Sequence, residues 1–136
     1  MRFDYIDILL FTLLLFFSCR EKKSDCSRFH TGKFSYHGSV TKQNYVVERN
    51  DSIQTELVVE TGTVLKFRIE WTGPCSYELQ FIGVEKAGTD RSILTRKFLP
   101  IRTMILTTAK DYYVYKTVTS IAGPEYSDTM RVMNGN

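Results

Sequence analysis

Apolar and polar residues alternate with a period of two along most of the chain after about Gly32. From residue 65 to residue 71 every second side chain is apolar and those between are charged. Residues 53–60 repeat the period, with Ile53, Thr55, Leu57 and Val59 set against Gln54, Glu56, Val58 and Glu60. This period is typical of half-buried strands, and Thr61 and Gly62 between the two stretches indicate a turn. The pattern therefore predicts a β-hairpin over residues 53–71.

Further strands are predicted where aromatic and β-branched residues run between turn signals. They lie at residues 44–49, 77–81, 98–108, 112–118 and 128–133. Asn50 and Asp51 tolerate the left-handed backbone of tight hairpin turns, so they are expected to form one after residue 49. Pro100 indicates an edge or a bulge near the start of the 98–108 strand. The apolar markers of that strand are Ile101, Met104 and Leu106.

Short turns join these strands at roughly ten-residue intervals, without a helical stretch after the N-terminal segment. Sequential strands of this kind indicate an antiparallel meander. A meander of about seven or eight strands exposes two edges unless it curls and closes. The sequence therefore predicts an all-β domain, a small lipocalin-like barrel or a strongly curled sheet, with a two-sheet sandwich as the second choice.

The N-terminal segment differs from the rest, because residues 8–17 form an almost purely apolar run. A membrane-spanning helix needs roughly 20 apolar residues, so this run suits the hydrophobic region of a signal peptide. Ser18 before Cys19 is a pattern that a lipoprotein signal peptidase cleaves, which makes Cys19 the predicted lipidated N-terminus. The leading residues carry more acidic than basic side chains, and Phe16 stands where leucine is usual. A signal without lipid and an uncleaved anchor therefore remain alternatives.

This site divides the chain into three parts. Residues 1–18 are the predicted signal peptide, residues 19–26 the lipidated cysteine and a polar tether, and residues 27–136 a single β domain. The predicted location is the cell envelope, as an outer-membrane lipoprotein held in the membrane by the lipid on Cys19. Alternating charges in the tether leave a periplasmic and a surface-facing orientation both open.

Cysteine count and charge narrow the picture further. With Cys19 assigned to lipid, Cys26 and Cys75 form an even pair in an oxidising compartment, which favours a disulfide over two free thiols. The net charge of +3 is small and the basic residues are scattered. Nucleic acid is therefore not an expected partner.

Several segments together resemble a group of small exported bacterial lipoproteins of unknown function. They are Cys26-Ser27-Arg28-Phe29-His30-Thr31-Gly32-Lys33-Phe34, the hairpin 49–56, Trp71 before Cys75-Ser76-Tyr77-Glu78-Leu79, and Tyr112, Tyr113 and Tyr115. The resemblance spans most of the chain after the signal and implies no activity. Such sequences often carry the automatic label "DNA topoisomerase IV". That label does not fit, because a topoisomerase module is far larger than this domain and an exported chain meets no DNA.

Candidate chemistry is sparse. His30 and His37 are the only histidines, and their odd separation on the first predicted strand segment places them on opposite faces, unsuited to a shared metal. The segment Thr31-Gly32-Lys33 lacks the upstream glycine and the following helix of a phosphate loop. The sequence therefore predicts no catalytic residues, no metal site and no cofactor.

Aromatic residues are the remaining candidates for a site. A dense set of them is most simply explained as filling of the barrel interior. The alternative is that some line the mouth of a pocket for a small apolar or glycan ligand. The candidates for that role are Trp71, Tyr77, Tyr113 and Tyr115. Because Tyr112 and Tyr113 are adjacent in a strand, at least one of them is expected to face outward.

The sequence thus favours a non-enzymatic envelope lipoprotein whose β domain binds a ligand or another envelope protein, or has a structural role. The alternative is an enzyme that acts on an envelope component through a site assembled from dispersed residues. A polar cavity with buried carboxylates would favour the enzyme. An open apolar cup would favour the binding protein, and a filled core the structural role.

Overall fold

The fold is a closed barrel of eight antiparallel strands. The computed structural model describes residues 25–119 and 123–134. Each strand pairs with its neighbours in sequence, and the first pairs with the last. The strands are β1 Gly32–His37, β2 Asn44–Arg49, β3 Ile53–Val58, β4 Thr63–Gly73, β5 Ser76–Lys86, β6 Ile101–Thr108, β7 Tyr112–Val118 and β8 Glu125–Val132. The predicted all-β barrel is therefore confirmed, and the sandwich alternative is wrong.

The N-terminal predictions concern a different part of the chain. The signal peptide, Cys19 and most of the tether lie outside the described residues. Within the described ranges, no helix combines the length and the apolar character needed to cross a membrane. The described chain begins at Asp25, immediately before the disulfide cysteine Cys26.

Strand bounds follow the turn residues. β2 and β7 have the predicted bounds. β6 begins later than predicted, at Ile101, because Pro100 has no N–H to donate to a ladder. β8 begins earlier than predicted, at Glu125, which pairs with Val118. Two short 3-10 turns, Ser27–Phe29 and Arg91–Leu94, also occur where the sequence predicts no helical stretch.

The β2–β3 turn closes differently from its prediction. Among the described non-glycine residues only Lys42 has a positive φ, so Asn50 and Asp51 do not adopt the left-handed backbone. Instead, Asn50 Oδ1 accepts hydrogen bonds from the backbone N–H groups of Ser52 (3.1 Å) and Ile53 (2.8 Å). An asparagine side chain that mimics a backbone turn in this way needs no unusual φ. Gly62, at φ 71°, is the residue that supplies left-handed geometry to the β3–β4 turn.

β3 turns two polar side chains toward the core, the reverse of the arrangement expected for a half-buried strand. Leu65 and Phe67 of β4 are buried, as their alternation predicts. They pair directly with Glu56 and Gln54. Because directly opposed residues of an antiparallel pair share one face of the sheet, the two polar side chains are forced inward. Gln54 is 1% exposed and Glu56 8% exposed.

β6 shows the same sensitivity to register. Ile101 packs against the core and Ile105 lies within it, with Thr103 buried between them. Met104 and Leu106 occupy the alternate positions and are 52% and 47% exposed. Of the three apolar markers in this strand, only Ile101 therefore contributes to the core.

One end of the barrel, here named the closed end, is formed by residues 25–31 and the β2–β3, β4–β5 and β6–β7 turns. Cys26 is disulfide-bonded to Cys75 in the β4–β5 turn, which confirms the predicted pair. Phe29 is buried and packs on Tyr113, with ring centroids 4.8 Å apart. Arg28 donates a hydrogen bond to the backbone carbonyl of Ala109 in the β6–β7 turn. Residues 25–31 thus seal this end of the barrel.

The opposite end, here named the open end, carries the β1–β2, β3–β4, β5–β6 and β7–β8 connections. Residues 87–100 pack over part of it, with Ile93 buried and Phe98 stacked on Phe81 at 4.1 Å between ring centroids. Gly88 lies against the β3–β4 turn, where a Cβ would come within 2.1 Å of the Thr61 carbonyl oxygen. That approach requires glycine and holds the connection in place.

Candidate functional site

A chain of buried polar side chains runs along the lumen of the barrel. Arg49 Nε donates to Gln54 Oε1 at 2.7 Å, and Gln54 Nε2 donates to Glu56 Oε1 at 2.6 Å. The hydroxyl of Tyr36 donates to Glu56 Oε2 at 3.1 Å. Cross-strand pairing of Arg49 with Gln54 creates the first link of this chain. Because a buried charge is costly unless it is paired, Gln54 stabilises both ends by linking the guanidinium to the carboxyl group.

Arg49 also connects this chain to the closed end. Its Nη1 donates to the backbone carbonyl of Phe29 at 2.9 Å, and its Nη2 lies 3.2 Å from the hydroxyls of both Tyr77 and Tyr113. The guanidinium carbon lies 4.7 Å from the centroid of the Tyr77 ring. Hydrogen bonds from a guanidinium and contacts with an aromatic face both strengthen in a dry interior. Arg49 therefore holds together the residues that close the lumen at this end.

Above Glu56, toward the open end, the lumen contains a cavity of about 170 Å³. Its walls combine apolar residues such as Leu79, Ile101 and Met130 with a set of tyrosine, threonine and acidic side chains. The polar side chains of the lining include Tyr36, Tyr45, Glu56, Thr103, Tyr115 and Asp128. A cavity of about 150 Å³ can hold a molecule the size of benzene. The space therefore suits a small ligand or part of a larger one.

A second recess adjoins this cavity beneath the β5–β6 connection. It has a volume of about 220 Å³ and shares Tyr36, Tyr45 and Glu56 with the cavity. Ile93 and Phe98 form its wall on the side of the connection. A ligand larger than the cavity therefore has an adjoining space next to the same carboxyl group.

The tyrosines of the cavity form a defined geometry. Tyr36 is stacked on Tyr45, with ring centroids 4.5 Å apart and planes 4° apart. Tyr115 stands nearly perpendicular to Tyr36, at 87° and 6.3 Å. Burial raises the pKa of Tyr115, and the nearby Tyr77, Asp128 and Glu56 add to the increase. The phenol therefore stays protonated and can donate a hydrogen bond.

The four aromatic residues singled out in the sequence separate into two pairs. Tyr77 and Tyr115 line the cavity. Tyr113 is fully buried in the core, and Trp71 lies near the closed end, stacked on His30 at 3.5 Å between ring centroids. Neither of these two is among the residues that line the cavity. The expected outward neighbour of Tyr113 is Tyr112, which is half-buried beneath Arg131.

The two histidines are far apart in the fold. His30 follows the first 3-10 turn instead of lying in the first strand, and its Nε2 is 3.2 Å from the carbonyl oxygen of Pro74. His37 ends β1, and its Nδ1 is 3.1 Å from Asn44 Oδ1. No group of three or more His, Cys, Asp or Glu side chains that could hold a metal ion occurs in residues 25–119 and 123–134.

The sequence did not reveal the polar side chains that face the lumen. Gln54 and Glu56 sit on what reads as the solvent face of a strand, and Arg49 and Asp128 resemble ordinary surface charges. The signal that identifies the first two is their pairing with Phe67 and Leu65, which depends on the register of the β3–β4 hairpin. That register becomes predictable only once the turn at Gly62 is fixed.

Because of the buried carboxyl group of Glu56, we expect the stability of the protein to depend on pH. Burial raises its pKa above 4.5, against the opposing effects of Gln54, Tyr36 and Arg49. The folded state therefore binds this proton more tightly than the unfolded state. This contribution is fully present below pH 4.5 and is lost as pH rises through the folded pKa. We expect the free energy of unfolding of the native protein to fall, relative to that of Glu56→Gln, over that interval.

Urea unfolding of both proteins across pH 4 to 8, at about half-unit steps, measures this difference. Glu48→Gln is the matched control, because Glu48 is exposed on the outer face next to Lys33. Its curve should keep the pH dependence of the native protein. Parallel curves for the native protein and Glu56→Gln would contradict the assignment.

Comparison with known proteins adds no relative. Searches against protein-family models, curated proteins and solved structures found no significant match to this chain. The closed barrel, its sealed end and its lumen cavity are therefore the features from which a function is inferred.

Proposed function

We propose that this protein is a lipid-anchored protein of the cell envelope whose barrel binds a small ligand without transforming it. An eight-stranded barrel is wide enough either to be filled by its side chains or to hold one small ligand. Here the closed end is packed around Phe29 and Arg49, whereas the open end leaves a cavity against Tyr36 and Tyr115. That cavity, with aromatic walls and a few polar groups at its base, is the observation that carries the proposal.

One observation favours the alternative, an enzyme that acts on an envelope component. Glu56 is a buried carboxyl group with a raised pKa, as acid–base catalysts often are. However, both of its oxygens accept hydrogen bonds from protein groups, one from Gln54 and one from Tyr36. Each oxygen is therefore already held by a protein donor and keeps one remaining acceptor site, so these contacts give the carboxyl group a structural role in the native state. The cavity lining also contains no histidine, cysteine or serine within the described residues.

Ligand binding is tested by purifying the protein from its native envelope under non-denaturing conditions and identifying the small molecules it releases. We expect a low-mass compound at close to one equivalent. Thr117→Trp places a large side chain at the cavity wall and should remove the compound. Met104→Trp is the control, because Met104 faces outward and its replacement leaves the cavity unchanged.

Equal amounts of compound in the two variants would exclude the cavity as the binding site. Incubation of the purified complex separates the two proposed functions. A binding protein returns the compound unchanged, whereas conversion that is lost in Glu56→Gln would favour the enzyme.

The anchor has its own test. Cys19→Ala removes the acceptor for lipid, and we expect the protein to move from the membrane fraction to the soluble fraction. Mass spectrometry of the native protein should identify an acylated Cys19 as the first residue. Retention of Cys19→Ala in the membrane would indicate an uncleaved N-terminal helix, the alternative named above.

A further inference from the structure

Charge distinguishes the lumen cavity from the rest of the molecule. Its lining includes the carboxyl groups of Glu56 and Asp128 and, among the described residues, no arginine, lysine or histidine. The salt bridges of the described residues join other side chains, so neither of these carboxyls has a direct ionic partner. Among the described residues, Arg49 is the only buried cationic side chain, and Gln54 connects it to Glu56. Asp128 therefore has no ion-pair partner in the described part of the chain.

Asp128 is oriented at the mouth of the cavity. Its Oδ1 accepts a hydrogen bond from the backbone N–H of Ser39 at 3.1 Å, which ties β8 to the β1–β2 loop. It is half-buried, whereas acids such as Glu48 and Glu70 on the outer surface are exposed. A partly desolvated carboxylate interacts with a cation more strongly than an exposed one does.

Tyr115 supplies a second, independent feature. It is 6% exposed and lines the cavity, and its hydroxyl makes no hydrogen bond to any described residue. The hydroxyl oxygen is not itself enclosed, since Trp71 Nε1 is the only enclosed side-chain polar atom without a partner among the described residues. The Tyr115 hydroxyl is instead open to the cavity, where it can donate a hydrogen bond to a water or a ligand. Tyr115 pairs directly with Asp128 across β7 and β8, and both line the same cavity as Glu56. The unpaired hydroxyl and the two acids therefore belong to one site.

The combination of rings and acids favours a cation over a neutral sugar. Tyr36 and Tyr115 both line the cavity and are nearly perpendicular, in an edge-type contact with 6.3 Å between ring centroids. Tyrosine surface that lines a cavity attracts an ammonium group. The neighbouring carboxyl groups add to that attraction, whereas a neutral sugar gains nothing from their charge.

We propose that the ligand of this cavity is a small organic cation, a low-mass amine or quaternary ammonium compound. Its charged group lies in the cavity beside Tyr36 and Tyr115, with Asp128 and Glu56 supplying the negative charge. This inference rests on the proposed ligand-binding function and specifies its ligand class.

The test compares two probes of nearly equal shape, tert-butylammonium and tert-butanol, by isothermal titration calorimetry at constant ionic strength. We expect the ammonium to bind at least about tenfold more tightly than the alcohol. Asp128→Asn should remove about a tenfold share of the ammonium affinity and leave that of the alcohol unchanged. Asp51→Asn is the matched control, since Asp51 is exposed in the β2–β3 turn at the closed end. It should bind both probes as the native protein does.

Each other outcome overturns the inference. Equal affinity for the two probes would identify a neutral site, in which case the proposed binding function stands and the ligand class is wrong. Release of a neutral compound from the native protein, together with no binding of tert-butylammonium, would also show that the ligand class is wrong and leave the binding function standing. Failure of both probes together with release of no compound would overturn the binding function as well. Circular dichroism of Asp128→Asn ensures that a lost affinity is not a lost fold.

Discussion

Replacing Arg49 with methionine is expected to lower the free energy of unfolding by about 3–5 kcal/mol, because several buried polar groups lose their charged hydrogen-bond donor at once. The variant leaves the hydroxyls of Tyr77 and Tyr113 without their donor and the carboxyl of Glu56 without its counter-charge. Since small domains are stable by only about 5–15 kcal/mol, the variant should be close to unfolding at room temperature. Urea titration monitored by tyrosine and tryptophan fluorescence measures the loss.

A second variant keeps this prediction testable if the first does not fold. In Arg49→Met/Glu56→Gln no uncompensated charge remains, so the double variant should be less destabilised than the sum of the two single changes. Arg68→Met is the surface control, because Arg68 is exposed on the outer face of β4, and its effect should stay within about 0.5 kcal/mol. If Arg49→Met lowers the free energy of unfolding by less than about 1 kcal/mol, the hydrogen-bonded side chains of Arg49, Gln54 and Glu56 do not stabilise the barrel.

Removing the disulfide should have an effect of similar size. Cys26 and Cys75 are 49 residues apart in sequence, and a loop of that length is worth about 4 kcal/mol in the chain-entropy description. Cys26→Ala/Cys75→Ala is therefore expected to lower the free energy of unfolding by about that amount. Hydrogen exchange should accelerate first in residues 25–31, because that segment would lose its covalent link to the β4–β5 turn and keep only its packing and its hydrogen bonds.

The reduced native protein is the control for this variant, since it loses the bond without losing either side chain. The two should unfold at the same urea concentration. A variant as stable as the oxidised native protein would show that packing and hydrogen bonds hold the closed end without the disulfide.

The fold is predictable from the sequence because its signals are local. β2 and β7 are bounded by turn residues, and the inward side chains of β4 alternate with charged ones over the whole strand. Short connections then leave little choice but an antiparallel meander. Closure itself depends on the pairing of β1 with β8, which are distant in sequence.

The candidate site is less predictable because it depends on non-local register. Gln54 and Glu56 face inward only because they pair with Phe67 and Leu65. Asp128 reaches the cavity because β8 closes the barrel beside the β1–β2 loop. Of the aromatic candidates, Tyr77 and Tyr115 line the cavity, whereas Trp71 and Tyr113 are held around Arg49 and the closed end. Lipidation at Cys19 stays a prediction.

The sealed end also determines which molecules can reach the lumen. Cys26 follows Cys19 by seven residues, and a chain segment of that length spans at most about 25 Å. With the proposed lipid on Cys19, the closed end lies within that distance of the bilayer, and the mouth is at the opposite end of the barrel from the tether. Cargo would then arrive by diffusion through the aqueous compartment and not by lateral transfer from the membrane. A water-soluble cation fits that route, whereas a lipid acyl chain does not.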